Sequence, residues 1–195
     1  MKSKTAGIML IIGSLWYMIA ETICAFTFHD TLAHTYLEYT ISTLGIPNSY
    51  SPYFFLINSA FILFGLIILF SNFYIFKDYI IKHKIIYYIF TLICGIGLII
   101  VGLIHAKSSF TSYYHILGAN MTIFGGNILL IIISKSMDKF KSYQKITLVL
   151  GIIGLIGYVL LFFNTKYLYR PVFERLSIYS LILWSFITGV YLRSI

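Results

Sequence analysis

Charge is what this sequence of 195 residues has least of: Asp, Glu, Lys and Arg together make up 10% of it, against about a quarter in soluble globular domains. So little charge cannot cover a water-facing exterior, and 59% apolar residues call for a bilayer as the solvent. There are two cysteines, Cys24 and Cys94. On a helical rise of about 1.5 Å per residue they differ in membrane depth by roughly 9 Å. A disulfide needs Cα atoms within about 7 Å, so two free, buried thiols are expected. Ile23 stands before Cys24 where a lipoprotein site needs a small residue. No alternating strands of a membrane barrel are present, nor an internal repeat, a low-complexity segment or a soluble domain. Neither a P-loop, a dinucleotide fingerprint nor a Gly-x-Ser-x-Gly elbow lies in a supporting context.

What the chain does have is apolar runs. The first, from Ala6 to about Phe28, is too long for a signal peptide and lacks a cleavage site of small residues, so it reads as an uncleaved first span. Five more follow, at about Tyr53–Phe76, Ile85–Ile104, Tyr113–Ser134, Gln144–Phe163 and Val172–Leu192. Each is near the ~20 residues that cross ~30 Å of hydrocarbon, and helices satisfy their own backbone groups there. The expected fold is therefore all-α: one polytopic transmembrane domain of six helices over residues 1–195.

A formal net charge of +8 would point to nucleic acid in a soluble protein. Here the cations lie between the apolar runs, where topology accounts for them, and no nucleic-acid partner is expected. Lys2, Lys4, Lys77, Lys82, Lys84, Lys135, Lys139, Lys141, Lys145 and Arg193 fall on one side. Lys107, Lys166, Arg170 and Arg175 fall on the other. The positive-inside rule then places both termini in the cytoplasm of a cell-membrane protein. The longest connection, His29–Pro52, is on the outer side. Within it Thr31–Leu44 reads as one short interfacial helix, with Leu37, Ile41 and Leu44 on one face and His34, Glu38 and Ser42 on another. Gly45, Pro47 and Asn48 break it. Ser, His and Glu on one stripe invite a triad, but the outer two are about 12 Å apart along the axis. Glycines of the third, fourth and fifth spans mark seams where helices approach closely.

Polar groups inside a bilayer are costly, so they mark functional candidates. Glu21 lies about 10 Å below the outer end of the first span, and Asn120 sits at a similar depth in the fourth. His105 and His115 flank the polar interruption between the third and fourth spans. Glu174 and Arg175 open the sixth after Pro171, a residue suited to a helix start, with Trp184 about three turns deeper. These groups crowd the outer half of the membrane, while the cytoplasmic half offers loop charges only. His105, His115, Glu174 and Glu21 suit general acid–base chemistry. Arg175, Asn120, Glu38, Ser42 and Trp184 are candidates for ligand contact. His105, His115 and Glu174 are also of the types that hold a zinc-like divalent metal, although no metal-motif spacing joins them.

Three stretches carry a resemblance. Ile41-Ser42-Thr43-Leu44-Gly45 is similar to the Ser-Asp-Leu-Gly motif of the prokaryotic "domain of unknown function" family numbered 998, with Thr43 where that motif has Asp. His115-Ile116-Leu117-Gly118-Ala119 resembles its His-x-x-Gly-Ala motif. Glu174-Arg175-Leu176 with Tyr179 and Trp184 resembles its last-helix pattern. The resemblance implies six transmembrane helices and the choice of His115, Glu174 and Arg175 as site residues. It implies no substrate.

Two main readings of function stay open at this point. One is a protein that binds a membrane lipid or other amphiphile in the outer-leaflet half. The other is an intramembrane enzyme acting on a lipid headgroup or polyprenyl carrier by His/Glu acid–base or metal-assisted chemistry. A small transporter is a third, weakened by the polar-poor cytoplasmic half and the lack of a repeat.

Overall fold

A computed structural model describes residues 2–29, 31–47, 50–74, 76–137, 141–163 and 169–194. Asn48, Lys139 and Lys166, read above as loop residues, lie outside them. The described residues form helices α1 (Lys2–Thr27), α2 (Leu32–Glu38), α3 (Ile41–Leu44), α4 (Phe54–Tyr74), α5 (Lys84–Leu103), α6 (Ser109–Ser136), α7 (Lys141–Phe163) and α8 (Arg170–Ser194). A single 3-10 turn, Phe76–Asp78, follows α4. Six of these helices are long and apolar enough to cross a membrane.

Neighbours in sequence are neighbours in space. α1 packs on α4, α4 on α5, α5 on α6, α6 on α7, α7 on α8 and α8 back on α1, so the long helices close into a ring. The ring's outer faces carry Ile8, Ile12, Ile19, Leu66, Ile89 and Val149, all exposed, as a lipid-facing surface requires. Its interior holds Tyr17, Phe64, Tyr87, Leu98 and Trp184, all buried. Apolar residues thus face both ways, the pattern of helices whose surroundings are hydrocarbon rather than water.

With no hydrophobic drive between helices in lipid, close backbone approach supplies much of the packing. A Cβ on Gly97 of α5 would stand 2.7 Å from the Gly118 carbonyl oxygen and 2.8 Å from the Thr122 nitrogen of α6. The seam expected from the glycines is therefore present between the third and fourth spans. A second contact, which the sequence reading did not include, joins α1 to α8, where Gly7 and Gly189 each face the other's carbonyl at 2.6 Å from a built Cβ. Cys24 and Cys94 are buried and free, as expected.

The long helices start or end up to four residues from the expected bounds, and two differences bear on the site. α6 begins at Ser109 instead of Tyr113, because Ser108 and Thr111 form a reciprocal capping box that extends the helix by a turn. His115 consequently lies in its second turn and not at its tip. The single helix expected over Thr31–Leu44 is two. Thr31 caps α2, and Thr40 starts α3 by accepting from the Thr43 backbone N–H. Between them Tyr39 is extended. Arg175 stabilises the break by donating to the Tyr36 and Tyr39 carbonyls, at 3.0 and 2.9 Å, at the end of α2. Ile41 and Leu44 are buried as the pattern predicted, but Leu37 is exposed and Thr35 is buried instead.

A polar cavity roofed by α3

The α2–α3 segment folds over the end of the ring opposite the termini, and α8 holds it there with two consecutive side chains. Successive residues of a helix point about 100° apart, so Glu174 and Arg175 serve different partners. Glu174 turns toward α3, where its Oε2 accepts the Ile41 backbone N–H at 3.0 Å. Arg175 turns toward α1 and donates from Nε to Glu21 Oε1 at 3.0 Å, an ion pair with almost no solvent contact. The other Glu21 oxygen accepts from the Tyr179 hydroxyl at 3.0 Å. The guanidinium also lies 4.6 Å from the Tyr36 ring centroid, close enough for a cation–π contact. Glu21 and Arg175, both candidates from sequence, are thus brought together, but as mutual partners that tie α1, α2 and α8. Neither lines the cavity described next.

That cavity, about 360 Å³, lies under α3 and between α6, α7 and α8. Its wall includes Glu38, Thr40, Ser42, Thr43, His115, Asn120, Arg170 and Glu174, together with the apolar Ile116, Ala119, Ile123 and Leu161. Five of the sequence candidates, His115, Glu174, Asn120, Glu38 and Ser42, therefore share one space. Glu38 and Arg170 are exposed, whereas His115 and Glu174 are buried. Asn120 is oriented from both ends, giving its amide hydrogen to the Ile116 carbonyl at 3.0 Å and accepting from the Tyr158 hydroxyl at 3.1 Å.

His115 is the least satisfied group in this wall. Its Nδ1 is 2.6 Å from the Ile104 carbonyl oxygen. A carbonyl can only accept, so Nδ1 carries the hydrogen, and in the neutral ring Nε2 keeps a bare lone pair. Nε2 is buried and bonds to none of the described residues. An unpaired acceptor of this kind costs about 1–3 kcal/mol.

The remaining candidates lie elsewhere. His105 Nε2 is 2.8 Å from Asn58 Nδ2 of α4, which also donates to the Gly45 carbonyl at 2.8 Å. Since that amide nitrogen can only donate, His105 is the acceptor and its role is to brace α4 against the end of α3. Burial, with help from Lys107 and His115, holds its pKa below the ordinary imidazole value. Trp184 is buried against Phe76, at 5.9 Å between ring centroids, toward the end that carries the termini. Depth along α8 removes it from the cavity. Among the described residues no three His, Cys, Asp or Glu side chains gather as metal ligands; His105, His115 and Glu174 are each turned to a different partner. Arg170, Thr40 and Thr43 line the cavity without having been singled out. For Arg170 the signal was present, a cation immediately before Pro171 in the first turn of α8.

Six apolar helices in a closed ring, with a polar cavity at one end, define a multi-pass membrane protein. Residues 11–191 match the family described as "Protein of unknown function (DUF998)", and the chain belongs to that family. No curated protein and no solved structure matches it.

Proposed function

We propose that this protein holds the polar head of a membrane lipid or similar amphiphile in the cavity under α3, with its termini in the cytoplasm and the cavity at the outer leaflet of the cell membrane. One observation carries the reading: a space of about 360 Å³ under α3 is walled by His115, Glu174, Asn120, Glu38, Ser42 and Arg170, and it is of the size that small-molecule sites occupy. The wall supports an amphiphile because it combines charged and hydroxyl groups, Glu38, Arg170, Ser42 and Thr43, with the apolar Ile116, Ile123 and Leu161. The distribution of lysine and arginine supports the orientation.

The test is native mass spectrometry of protein purified in mild detergent, beside an Ala119→Trp variant that fills the cavity. Co-purified lipid on the wild type and its loss from the variant are expected. Equal lipid on both would sink the reading. Orientation is tested separately with a cysteine in place of exposed Lys107, which a membrane-impermeant maleimide should label in intact cells.

A second reading has an observation of its own. The His115 imidazole, held through Nδ1 by the Ile104 carbonyl, and the Glu174 carboxyl group line one cavity, a pairing suited to general acid–base chemistry. On that reading the protein is an intramembrane enzyme acting on a headgroup, and His115→Ala abolishes turnover while lipid is still bound.

A further inference from the structure

A cavity whose wall carries charges of both signs selects a different ligand from one that carries a single sign. Glu38, the last residue of α2, and Arg170, the first of α8, both line the cavity under α3 and both are exposed. Among the described residues the ion pair formed is that of Arg175 with Glu21, so Glu38 and Arg170 are neutralised neither by each other nor by a described neighbour. Helix stability does not account for them either. A helix is stabilised by an anion at its N-terminus and a cation at its C-terminus, whereas here the anion ends α2 and the cation starts α8. Each charge adds to the partial charge of its own helix end. The Glu174 carboxyl group, one turn along α8 from Arg170, lines the same wall and commits one oxygen to the Ile41 N–H.

We infer that this cavity selects a zwitterionic headgroup, with an ammonium toward Glu38 and a phosphate toward Arg170, and discriminates against headgroups that carry one sign of charge only. The inference rests on the amphiphile-binding reading above and adds the chemical class of the headgroup. A purely anionic head satisfies Arg170 but brings its charge against Glu38. A purely cationic head satisfies Glu38 but meets Arg170. A head with both charges satisfies the two at once, and the like-charge contacts that the others suffer supply the discrimination. The N-terminus of α8 adds its own attraction for a phosphate beside Arg170. Both charged side chains are exposed, so a ligand in the cavity can reach them.

The experiment is a native mass-spectrometric titration with lipids of matched acyl chains. Phosphatidylethanolamine and phosphatidylcholine carry both charges, phosphatidylglycerol carries the phosphate alone, and diacyl trimethylammonium-propane carries the cation alone. Both zwitterions should bind wild type about fivefold or more tighter than either singly charged lipid. Glu38→Gln should bring phosphatidylglycerol to within about twofold of the zwitterions and leave the cationic lipid weak. Arg170→Gln should do the reverse. Both substitutions are of exposed side chains, so folding is not at stake. Glycerophosphoethanolamine, which has both charges and no acyl chains, separates a lipid from a soluble ligand of the same chemistry and should bind about tenfold or more weaker than phosphatidylethanolamine.

A singly charged lipid that binds wild type as tightly as the zwitterions overturns the inference and leaves amphiphile binding standing. A preference that survives unchanged in Glu38→Gln or in Arg170→Gln overturns the role assigned to that residue. Glycerophosphoethanolamine bound as tightly as the lipid overturns the amphiphile reading and leaves the charge requirement. Lipid binding that Ala119→Trp does not affect overturns the underlying reading and the inference with it.

Discussion

Removing Arg175 should destabilise the protein severely, and then removing Glu21 as well should recover part of the loss. In Arg175→Met the Glu21 carboxylate, with no solvent exposure, keeps only the Tyr179 hydroxyl. The carbonyls of Tyr36 and Tyr39 lose their donor at the same time. Breaking a buried pair from one side costs about 3–5 kcal/mol, because the charge left behind is uncompensated. Glu21→Leu is milder, at about 2 kcal/mol, since the guanidinium keeps three carbonyls and the Tyr36 ring. In the double variant no orphan carboxylate remains. Its stability should therefore lie about 1–2 kcal/mol above that of Arg175→Met, although it carries one more substitution. Equilibrium unfolding in mixed micelles, followed by tryptophan fluorescence, measures all four corners of the cycle. Costs that add to within about 0.5 kcal/mol would show that the two residues do not act as a pair and would refute the reasoning.

Two further outcomes follow from other parts of the ring. Gly97→Ala sets a methyl against backbone atoms of Gly118 and Thr122, which cannot yield as a flexible side chain does; a loss of about 1–3 kcal/mol is expected by the same unfolding assay. His105 accepts from Asn58 only while neutral, and its pKa in the folded chain is held below the ordinary value by burial, Lys107 and His115. The unfolded state therefore takes up the proton first, so the bond's contribution is complete above about pH 6.5 and is lost as pH falls through the ordinary imidazole range. Thermal midpoints between about pH 8 and pH 5 should fall more steeply for wild type than for His105→Gln, and parallel curves would remove His105 from the account.

Hydropathy made the six spans legible, because a helix in hydrocarbon must be apolar over its whole length, whatever it packs on. The capping box at Ser108 and Thr111 was visible in principle. A run of polar residues between two spans, however, reads first as a loop. Membrane depth alone predicted that His115, Asn120, Glu174, Glu38 and Ser42 would share one end of the bundle, and they line one cavity. Depth does not give direction around a helix. It could not say that Arg175 turns away from the cavity to Glu21, 154 positions earlier in the chain, or that His105 reaches back to α4. Trp184 failed for the opposite reason: three turns along α8 carry it toward the other end. The split between α2 and α3 was hidden because the side chain that stabilises it comes from α8.

The adjacent positions 174 and 175 make α8 both the anchor of the ring and the support of the cavity roof. Arg175 fixes the end of α2, and Glu174 fixes the start of α3. The four-residue α3 is far below the length at which a helix holds in isolation, so its position over the cavity depends on these two contacts, on the Ser51 and Asn58 side chains that donate to the Leu44 and Gly45 carbonyls, and on its buried Ile41 and Leu44. A glutamine at 174 retains a carbonyl oxygen able to accept the Ile41 N–H, whereas alanine does not. Glu174→Ala should therefore raise amide hydrogen exchange across residues 40–46 by about fivefold or more, a loss of roughly 1 kcal/mol of local stability, while Glu174→Gln leaves it near the wild-type rate. Exchange in α5, on the side of the ring away from α8, should be the same in all three proteins. Faster exchange throughout the ring in Glu174→Ala would mean that Glu174 holds the whole bundle, not only the roof. Equal protection of residues 40–46 in Glu174→Ala and wild type would mean that Ile41, Leu44 and the Ser51 and Asn58 contacts hold α3 in place without it.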